Sequence, residues 1–330
     1  MRIIIPMAGM GKRLRPHTLI TPKPLVKLAE KSIVQRLVED IVAIQSTQVL
    51  EIAFVVGRFG EVVEGELIKL ANAMGAEGTI HYQDEPLGTA HAVLCAASAL
   101  KGPVTVAFAD TLFRADFKID PNADGVLWVK RIDDPRQFGV VELNDQGEII
   151  SFVEKPQDFV SDLAMIGIYY FKSGEDLCRE LNYLLDNEIK NGGEYQLPDA
   201  MRNMMSQGAK FIPGEVKEWM DCGNKDAVLD TLSVLLPNIQ EQKSTPCENS
   251  KIIAPCYIGE NVKISNSTIG PNVSIANGSI IENSIISSSS IGSSCHLSNC
   301  NLKNSMVDDN NTIQSYQGML DLGSFNKIIS

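Results

Sequence analysis

Over residues 1–237, short apolar runs alternate with stretches in which apolar residues return at helical spacing. Ile3-Ile4-Ile5 has the length and composition of a buried strand. In 32–44 the apolar residues stand at 33, 34, 37, 38, 41 and 44, one face of a helix, with Ser32 and Gln35 set as a capping box. Residues 51–57 read as a strand, 62–73 as a helix and 79–83 as a short strand, and an Ala-rich stretch predicts a helix reaching Leu100. The run 104–110 is a strand ending in the carboxylate of Asp110, and 125–131 is another. Residues 138–142 and 149–155 flank a turn at 144–147 and predict a hairpin. A strand follows at 164–171, and a helix starts at Asn224 and is stopped by Pro237. Strands alternating with helices predict an α/β fold with a mostly parallel sheet covered on both faces.

The texture then changes. Residues 238–250 are polar and read as a linker between domains at 1–237 and 251–330. Beyond it, aliphatics recur every five or six residues, at Ile253, Ile258, Ile264, Ile269 and onward to Ile313, with Gly, Asn and Ser between them. This hexapeptide rhythm predicts a left-handed parallel β-helix, at roughly eighteen residues a coil and about three coils. Residues 316–330 lose the rhythm and are expected to cap the open end.

Composition narrows the class. The chain has 330 residues, 44% hydrophobic and 21% charged, enough for a sizeable core. No apolar run approaches the ~18–20 residues of a membrane span, and the N-terminus enters a strand without a signal-peptide layout, so a cytoplasmic protein is expected. A net charge of −12 argues against a nucleic-acid or membrane partner. The seven cysteines contain no C-x-x-C pair and fit reduced thiols; Cys222, beside Asp221 without a histidine base nearby in sequence, reads as a buried bystander. Against the acidic background, six basic residues (Arg2, Lys12, Arg13, Arg15, Lys23 and Lys27) precede the first acid, Glu30. That cationic island suits a small ligand rich in phosphate.

Ala8-Gly9-Met10-Gly11, directly after the first strand, lets backbone N–H groups approach such a ligand. It is not a P-loop, since Lys12 is followed by Arg13 and the upstream glycine is missing, and Leu14 stands where a dinucleotide fold needs a third glycine. The longer pattern G-x-G-x-R-L-x-P-x-T, followed by P-K-P-L, resembles the signature of sugar-1-phosphate nucleotidylyltransferases, such as glucose-1-phosphate thymidylyltransferases and UDP-sugar pyrophosphorylases. Gly9, Gly11, Arg13, Leu14, Pro16, Thr18, Pro22, Lys23, Pro24 and Leu25 fall in place. The resemblance implies a Rossmann-like nucleotidyltransferase domain in front of the β-helix. It makes Arg13 and Lys23 catalytic, and Ala8, Gly9 and Gly11 part of the nucleotide site. It continues through Gln83, Pro86, Gly88 and Thr89, in Q-x-x-P-L-G-T-A-H-A, as the nucleobase segment. A glutamine amide offers the donor and acceptor that uracil or thymine needs.

The same resemblance assigns Gly139, Glu154, Lys155, Gly167 and Glu194 to the sugar phosphate, and Asp110 and Asp221 to Mg²⁺. Ala109 replaces a usual glycine, Met165 an asparagine and Pro198 a threonine, and Asp199 is read as a helix cap. If the strand persists, Glu154 and Lys155 point to opposite faces; if Pro156 ends it, both turn inward. The implied reaction moves a nucleotidyl group from dTTP or UTP to a sugar-1-phosphate, with pyrophosphate leaving, in a homo-oligomer. Two alternatives stand beside it: a regulatory subunit that binds sugar nucleotides without turnover, and an acyltransferase working through the β-helix. His296 is the only histidine of that β-helix, which reads instead as a structural or oligomerisation module.

Overall fold

Ile3, Ile4 and Ile5 have no exposed surface and form the middle of β1 (Arg2–Pro6), which sits between two parallel neighbours. The computed structural model describes every residue except 46, 117–118, 120–122, 240–246 and 330. The chain divides into two compact units, Met1–Gly9 with Leu37–Trp219 and Met10–Arg36 with Met220–Ser330.

In the first unit the further strands of the main sheet are β2 (Glu51–Val56), β3 (Glu77–Tyr82), β4 (Val104–Ala107), β5 (Gly125–Arg131), β6 (Gly139–Leu143), β7 (Ile149–Glu154), β8 (Leu163–Phe171) and β9 (Phe211–Glu215). Among the described residues, nine strands run β7-β6-β8-β4-β1-β2-β3, with β5 pairing β8 and β9. The pairs β4–β1–β2–β3 are parallel, whereas β8 runs antiparallel to β4, β5 and β6. Strands buried on both faces read as continuous apolar runs, which is why β1, β2 and β4 were legible. The helices α1 (Ile33–Ile44) and α2 (Glu61–Ala73) begin within a residue or so of their sequence signals, α4 (Gly174–Asp186) had no reading in the sequence, α5 (Leu197–Ser206) was signalled only by the cap read at Asp199, and Ser32 Oγ accepts the Gln35 N–H at 3.2 Å as the capping box requires. Two expectations fail. The Ala-rich helix α3 is only Thr89–Leu94, and a separate 3₁₀ turn takes Ala97–Ala99. Asp199 is not a cap: Gln196 holds that position, and Asp199 sits in the first turn, paired with Arg202.

In the second unit α6 (Lys225–Leu235) starts where Asn224 Oδ1 accepts the Ala227 N–H at 3.1 Å. After it, short strands stack into three parallel sheets of six, five and five strands among the described residues. Three parallel sheets wound coil upon coil are the arrangement of the left-handed β-helix that the rhythm predicts. Ile264, Ile269, Ile275, Ile281, Ile286, Ile291, Leu297, Leu302, Val307 and Ile313 fill its interior at 2% exposure or less, while Ile253 and Ile258 in the first coil are half-buried. The corners explain the asparagines: Asn249, Asn266, Asn283, Asn299, Asn261, Asn272, Asn304 and Asn310 all take positive φ, which Asn tolerates better than other side-chain-bearing residues. Inward serines take corner amides that the ladder leaves over. The Ser267 N–H donates to Ser250 Oγ and the Ser284 N–H to Ser267 Oγ, each 17 residues on, and the Cys300 N–H donates to Ser284 Oγ, 16 residues on.

Those spacings correct the expected coil. It is 15 to 17 residues, not eighteen, and the sheets hold five coils or more, not three. Residues 316–329 do not leave the rhythm as a cap either: Gln317–Gly318, Asp321–Leu322 and Lys327–Ile329 each add a parallel strand to one sheet. Tyr316, Leu320, Leu322 and Ile328 pack against the interior only partly buried, and the exposed polar residues between them hid these strands. Of the stretch 238–250 read as a linker, residues 240–246 lie outside the described residues.

Candidate active site

In the first unit, β1 ends at Pro6, and Met7 continues its ladder by donating to Val55 O at 2.7 Å. Ala8 and Gly9 follow at the carboxyl end of this central strand, where ligands of open α/β sheets bind. Gln83 stands just after β3. Its Nε2 donates to Gly88 O at 3.3 Å and lies 3.2 Å from His91 Nδ1. Gly88, at φ 118° and ψ 178°, precedes α3 in backbone space that is essentially glycine-only. A Cβ there would lie 2.4 Å from Tyr195 O and 3.0 Å from Glu194 Cβ. The two segments are bonded across this contact: Tyr195 N–H to Leu87 O at 2.8 Å and Ala90 N–H to Tyr195 O at 2.9 Å. Thr89 Oγ1 also accepts the Leu197 N–H at 2.9 Å. Gln83, Pro86, Gly88, Thr89 and Glu194 thus form one group, although more than a hundred residues of sequence separate its ends.

A second group gathers at β4, β6, β7 and β8. Gly139 is the register partner of Glu154, and a Cβ on it would lie 2.8 Å from Glu154 Oε2 and 2.5 Å from Met165 Cε. Gly139 is what lets the Glu154 carboxylate and the Met165 methyl meet. Strand β7 ends at Glu154, and Lys155 takes φ 45°, so the two side chains stay together as an ion pair at 3.8 Å. Of the two outcomes left open by the sequence, the strand stopping before Pro156 is the one found. Gly167 O accepts the Phe108 N–H at 3.0 Å, two residues before Asp110. Between these segments lies Tyr169, 7% exposed. Burial, followed by the nearby Glu154 and Asp110 carboxylates, pushes its hydroxyl well above the usual phenol range. Tyr169 therefore lies near both Asp110 and Glu154, and sequence reading missed it; its signal was the I-Y-Y after Gly167.

In the second unit, Gly11 has φ 58° and ψ 35°, in left-handed space, and leads into a 3₁₀ turn over Lys12–Leu14. A Cβ on it would lie 2.8 Å from Lys23 Cβ and 3.1 Å from Thr18 Cγ2. Thr18 Oγ1 donates to Gly11 O at 2.7 Å and the Leu14 N–H to the same oxygen at 2.9 Å, so the bend closes on itself. Lys23 is 8% exposed, an unusual burial for a lysine. Arg13, two residues past the bend, is exposed. Asp221 ends the strand Glu218–Asp221; its Oδ1 accepts the Gly223 N–H at 3.0 Å and its carbonyl accepts Thr231 Oγ1 at 2.9 Å. A Cβ on Gly223 would lie 3.0 and 3.1 Å from the two Asp221 carboxylate oxygens and 3.2 Å from Arg13 Nη2. Arg13 and Asp221, over 200 residues apart in sequence, therefore approach one point, and Gly223 keeps it clear. Neighbouring Cys222 is fully buried, as a bystander thiol should be.

The family model described as nucleotidyl transferase matches residues 2–236. The chain belongs to this family. The mannose-1-phosphate guanylyltransferase catalytic subunit beta of Drosophila pseudoobscura pseudoobscura is 31% identical over 290 residues, covering 85% of this chain and 72% of that protein. The glucose-1-phosphate thymidylyltransferase of Streptomyces griseus is 26% identical over 302 residues, covering 84% and 82%. The bifunctional protein GlmU of Methanococcus vannielii is 31% identical over 262 residues, covering 77% of this chain and 59% of that protein. Among solved structures, the nucleoside-diphosphate-sugar pyrophosphorylase from Vibrio cholerae RC9 has the same fold over 70% of this chain and 99% of its own, with a TM-score of 0.60 and 22% identity. The resemblance to sugar-1-phosphate nucleotidylyltransferases, first seen in the glycine-arginine signature, is thereby shown. The matched region of this nucleotidyl transferase chain carries every residue assigned above, from Ala8 to Asp221. Among the described residues, no helix is long and apolar enough to cross a membrane.

Proposed function

We propose that this nucleotidyl transferase joins a pyrimidine nucleoside triphosphate, dTTP or UTP, to a sugar-1-phosphate and releases pyrophosphate. The observation that carries the reading is the approach of Arg13 Nη2 and the Asp221 carboxylate to one point beside Gly223. A cation and a carboxylate that approach one point suit a substrate that brings phosphate oxygens and a metal ion.

In this reading a phosphate oxygen of the sugar-1-phosphate attacks the α-phosphorus in line. The bond to the β-phosphate oxygen breaks, and pyrophosphate leaves with that electron pair. No covalent enzyme intermediate is needed, so catalysis is positioning plus charge stabilisation. Ala8, Gly9 and Gly11 hold the triphosphate through the backbone, and Arg13 stabilises the charge that develops. Lys23 addresses the α-phosphate and Lys155 the incoming phosphate. Gly139 and Gly167 give the sugar close backbone approach, while Glu154 and Glu194 accept from its hydroxyls. Asp110 and Asp221 fit Mg²⁺: they offer hard carboxylate oxygens, and Asp221 is oriented by the Gly223 N–H. Among the described residues no group of three or more His, Cys, Asp or Glu is set to hold a metal. Two carboxylates suit an ion that keeps several waters and takes substrate phosphates. Bound there, Mg²⁺ would neutralise phosphate charge.

The base is read less directly. Gln83 uses its amide nitrogen within the protein, which leaves its carbonyl oxygen to accept from a base N–H. Uracil and thymine offer N3–H, and guanine offers N1–H as well. The similarity to a guanylyltransferase keeps GTP as the second reading. Pyrophosphate release with four triphosphates against glucose-, N-acetylglucosamine- and mannose-1-phosphate separates these. We expect kcat/KM for dTTP or UTP at least about tenfold above GTP, the size of a modest steric discrimination against the larger purine. Preference for GTP overturns the pyrimidine assignment, and tight nucleotide binding with no release under any pairing supports a regulatory subunit instead.

A further inference from the structure

His17 lies four residues past Arg13 and is 2% exposed. Its Nδ1 is 2.8 Å from Asp308 Oδ1, on a β-helix coil 291 residues away. An ionised carboxylate only accepts, so Nδ1 carries the proton and donates. Nε2 is buried with no hydrogen-bond partner among the described residues, so Asp308 is the ring's polar anchor. Asp308 is itself fixed: its N–H donates to Leu322 O at 2.9 Å, and its carbonyl accepts from Asn311 Nδ2 at 2.7 Å and Cys295 Sγ at 3.1 Å. Pro16 packs beside the same coils, 3.5 Å from where Gly323 would carry a Cβ.

A second tether reaches the other partner of the Gly223 point. Lys225, four residues past Asp221, has a side chain only 19% exposed. Its Nζ lies 3.1 Å from Asp321 Oδ1 and 3.3 Å from Asn304 O. Arg13 and Asp221 are thus each followed, at the same interval, by a buried or largely buried cationic or imidazole side chain bound to residues 304–321 of the β-helix. Two independent ties to one stack of parallel coils fix the separation of the groups they carry.

We propose that the coils at 304–323 are a positioning platform for nucleotidyl transfer, with His17 and Lys225 as positioning residues that hold Arg13 and Asp221 in register. The inference rests on the roles given to Arg13 and Asp221 above. It gives the β-helix a part in the reaction without a second catalytic site.

The test uses the full chain with Asp308→Ala, His17→Ala, His17→Asn and, on the second tether, Lys225→Met. A small misplacement of a catalytic group costs up to about 10²-fold. We therefore expect Asp308→Ala and His17→Ala to lower kcat about 10–100-fold while KM for the sugar phosphate shifts less than about threefold, the signature of an interaction felt mainly in the transition state. His17→Asn keeps an N–H near the Nδ1 position and should recover most of the loss. In parallel, amide hydrogen exchange should speed up at Leu14, whose N–H bonds Gly11 O, with the coil amides as slow as in the parent. Lys225→Met should lower kcat while leaving Leu14 exchange unchanged. Folded variants with parental kcat and parental Leu14 exchange overturn the proposal. So does a loss that His17→Asn fails to recover and that comes with faster exchange throughout the coils, since that is plain destabilisation. If the parent released no pyrophosphate with any sugar phosphate, the functional reading would fail, and the exchange arm would still decide the tether.

Discussion

The Gly11 turn and the Gly88 turn both hold a glycine where a side chain would collide, but they are crowded from different directions. Gly11 meets Lys23 and Thr18 of its own loop, whereas Gly88 meets the backbone of Tyr195, 107 positions away. The first turn is a self-contained device whose parts lie within thirteen residues. The second exists only after α5 and the segment before it have docked. A short loop can shift as one piece to relieve a contact within itself; a backbone carbonyl docked from a distant segment cannot move without undocking that segment. The Gly11 loop is therefore expected to fail in chemistry before it fails in stability, and the Gly88 loop in the reverse order.

The largest expected effect tests the first half of that contrast. Arg13→Ala should lower kcat about 10²–10³-fold, as for removal of one charge-stabilising donor, with thermal unfolding unchanged. Near-parental turnover would remove Arg13 from the chemistry. Gly88→Ala comes next. Strain in glycine-only backbone space and overpacking against Tyr195 should together cost about 2–4 kcal/mol, read as a lower urea midpoint. Gly11→Ala should cost about 1–2 kcal/mol for left-handed backbone while displacing Lys23, so its activity falls more than its midpoint. Equal midpoint shifts in the two variants would erase the distinction.

The threonines sharpen it further. Thr89→Val leaves the Leu197 N–H without its acceptor, a loss of about 1–3 kcal/mol, whereas Thr18→Val removes one local donor at about 1 kcal/mol. Urea titrations of both variants give the comparison directly. The smallest effect is a control. Gly65 lies inside α2 with nothing within 4 Å of a built Cβ and with no unusual φ. Gly65→Ala should stabilise by up to about 1 kcal/mol; a loss there would mean that glycine costs in this chain are not set by local space.

The contrast also explains what the sequence made visible. The glycine-arginine loop was readable because its constraints are local, so ten positions stand in one short pattern. The β-helix was readable for the same reason, one aliphatic per strand with asparagine or serine at the corners, yet its coil length was misjudged. The rhythm of five and six residues averages below six, and the corner bonds, 15 to 17 residues apart, give the true period. The convergence of Glu154, Met165 and Gly139 was implied by resemblance but hidden from periodicity, because strand register and a bulge in β8 create it. Tyr169 was missed because a buried tyrosine in a strand looks like any other core residue. Nothing local at His17 announces Asp308.

The serine and asparagine corners carry one further consequence. Each corner bonds to its counterpart one lap earlier, at intervals of 17 residues in the first laps, 16 in the next and 15 in the last, so the step shortens along the stack. A single inserted residue therefore disturbs only the bonds that span it, whereas a whole added lap preserves every partner. Length variation in the β-helix is thereby absorbed lap by lap, and the coil that bears Asp308 can stay at its post beneath the glycine bend while laps are gained or lost farther along the stack.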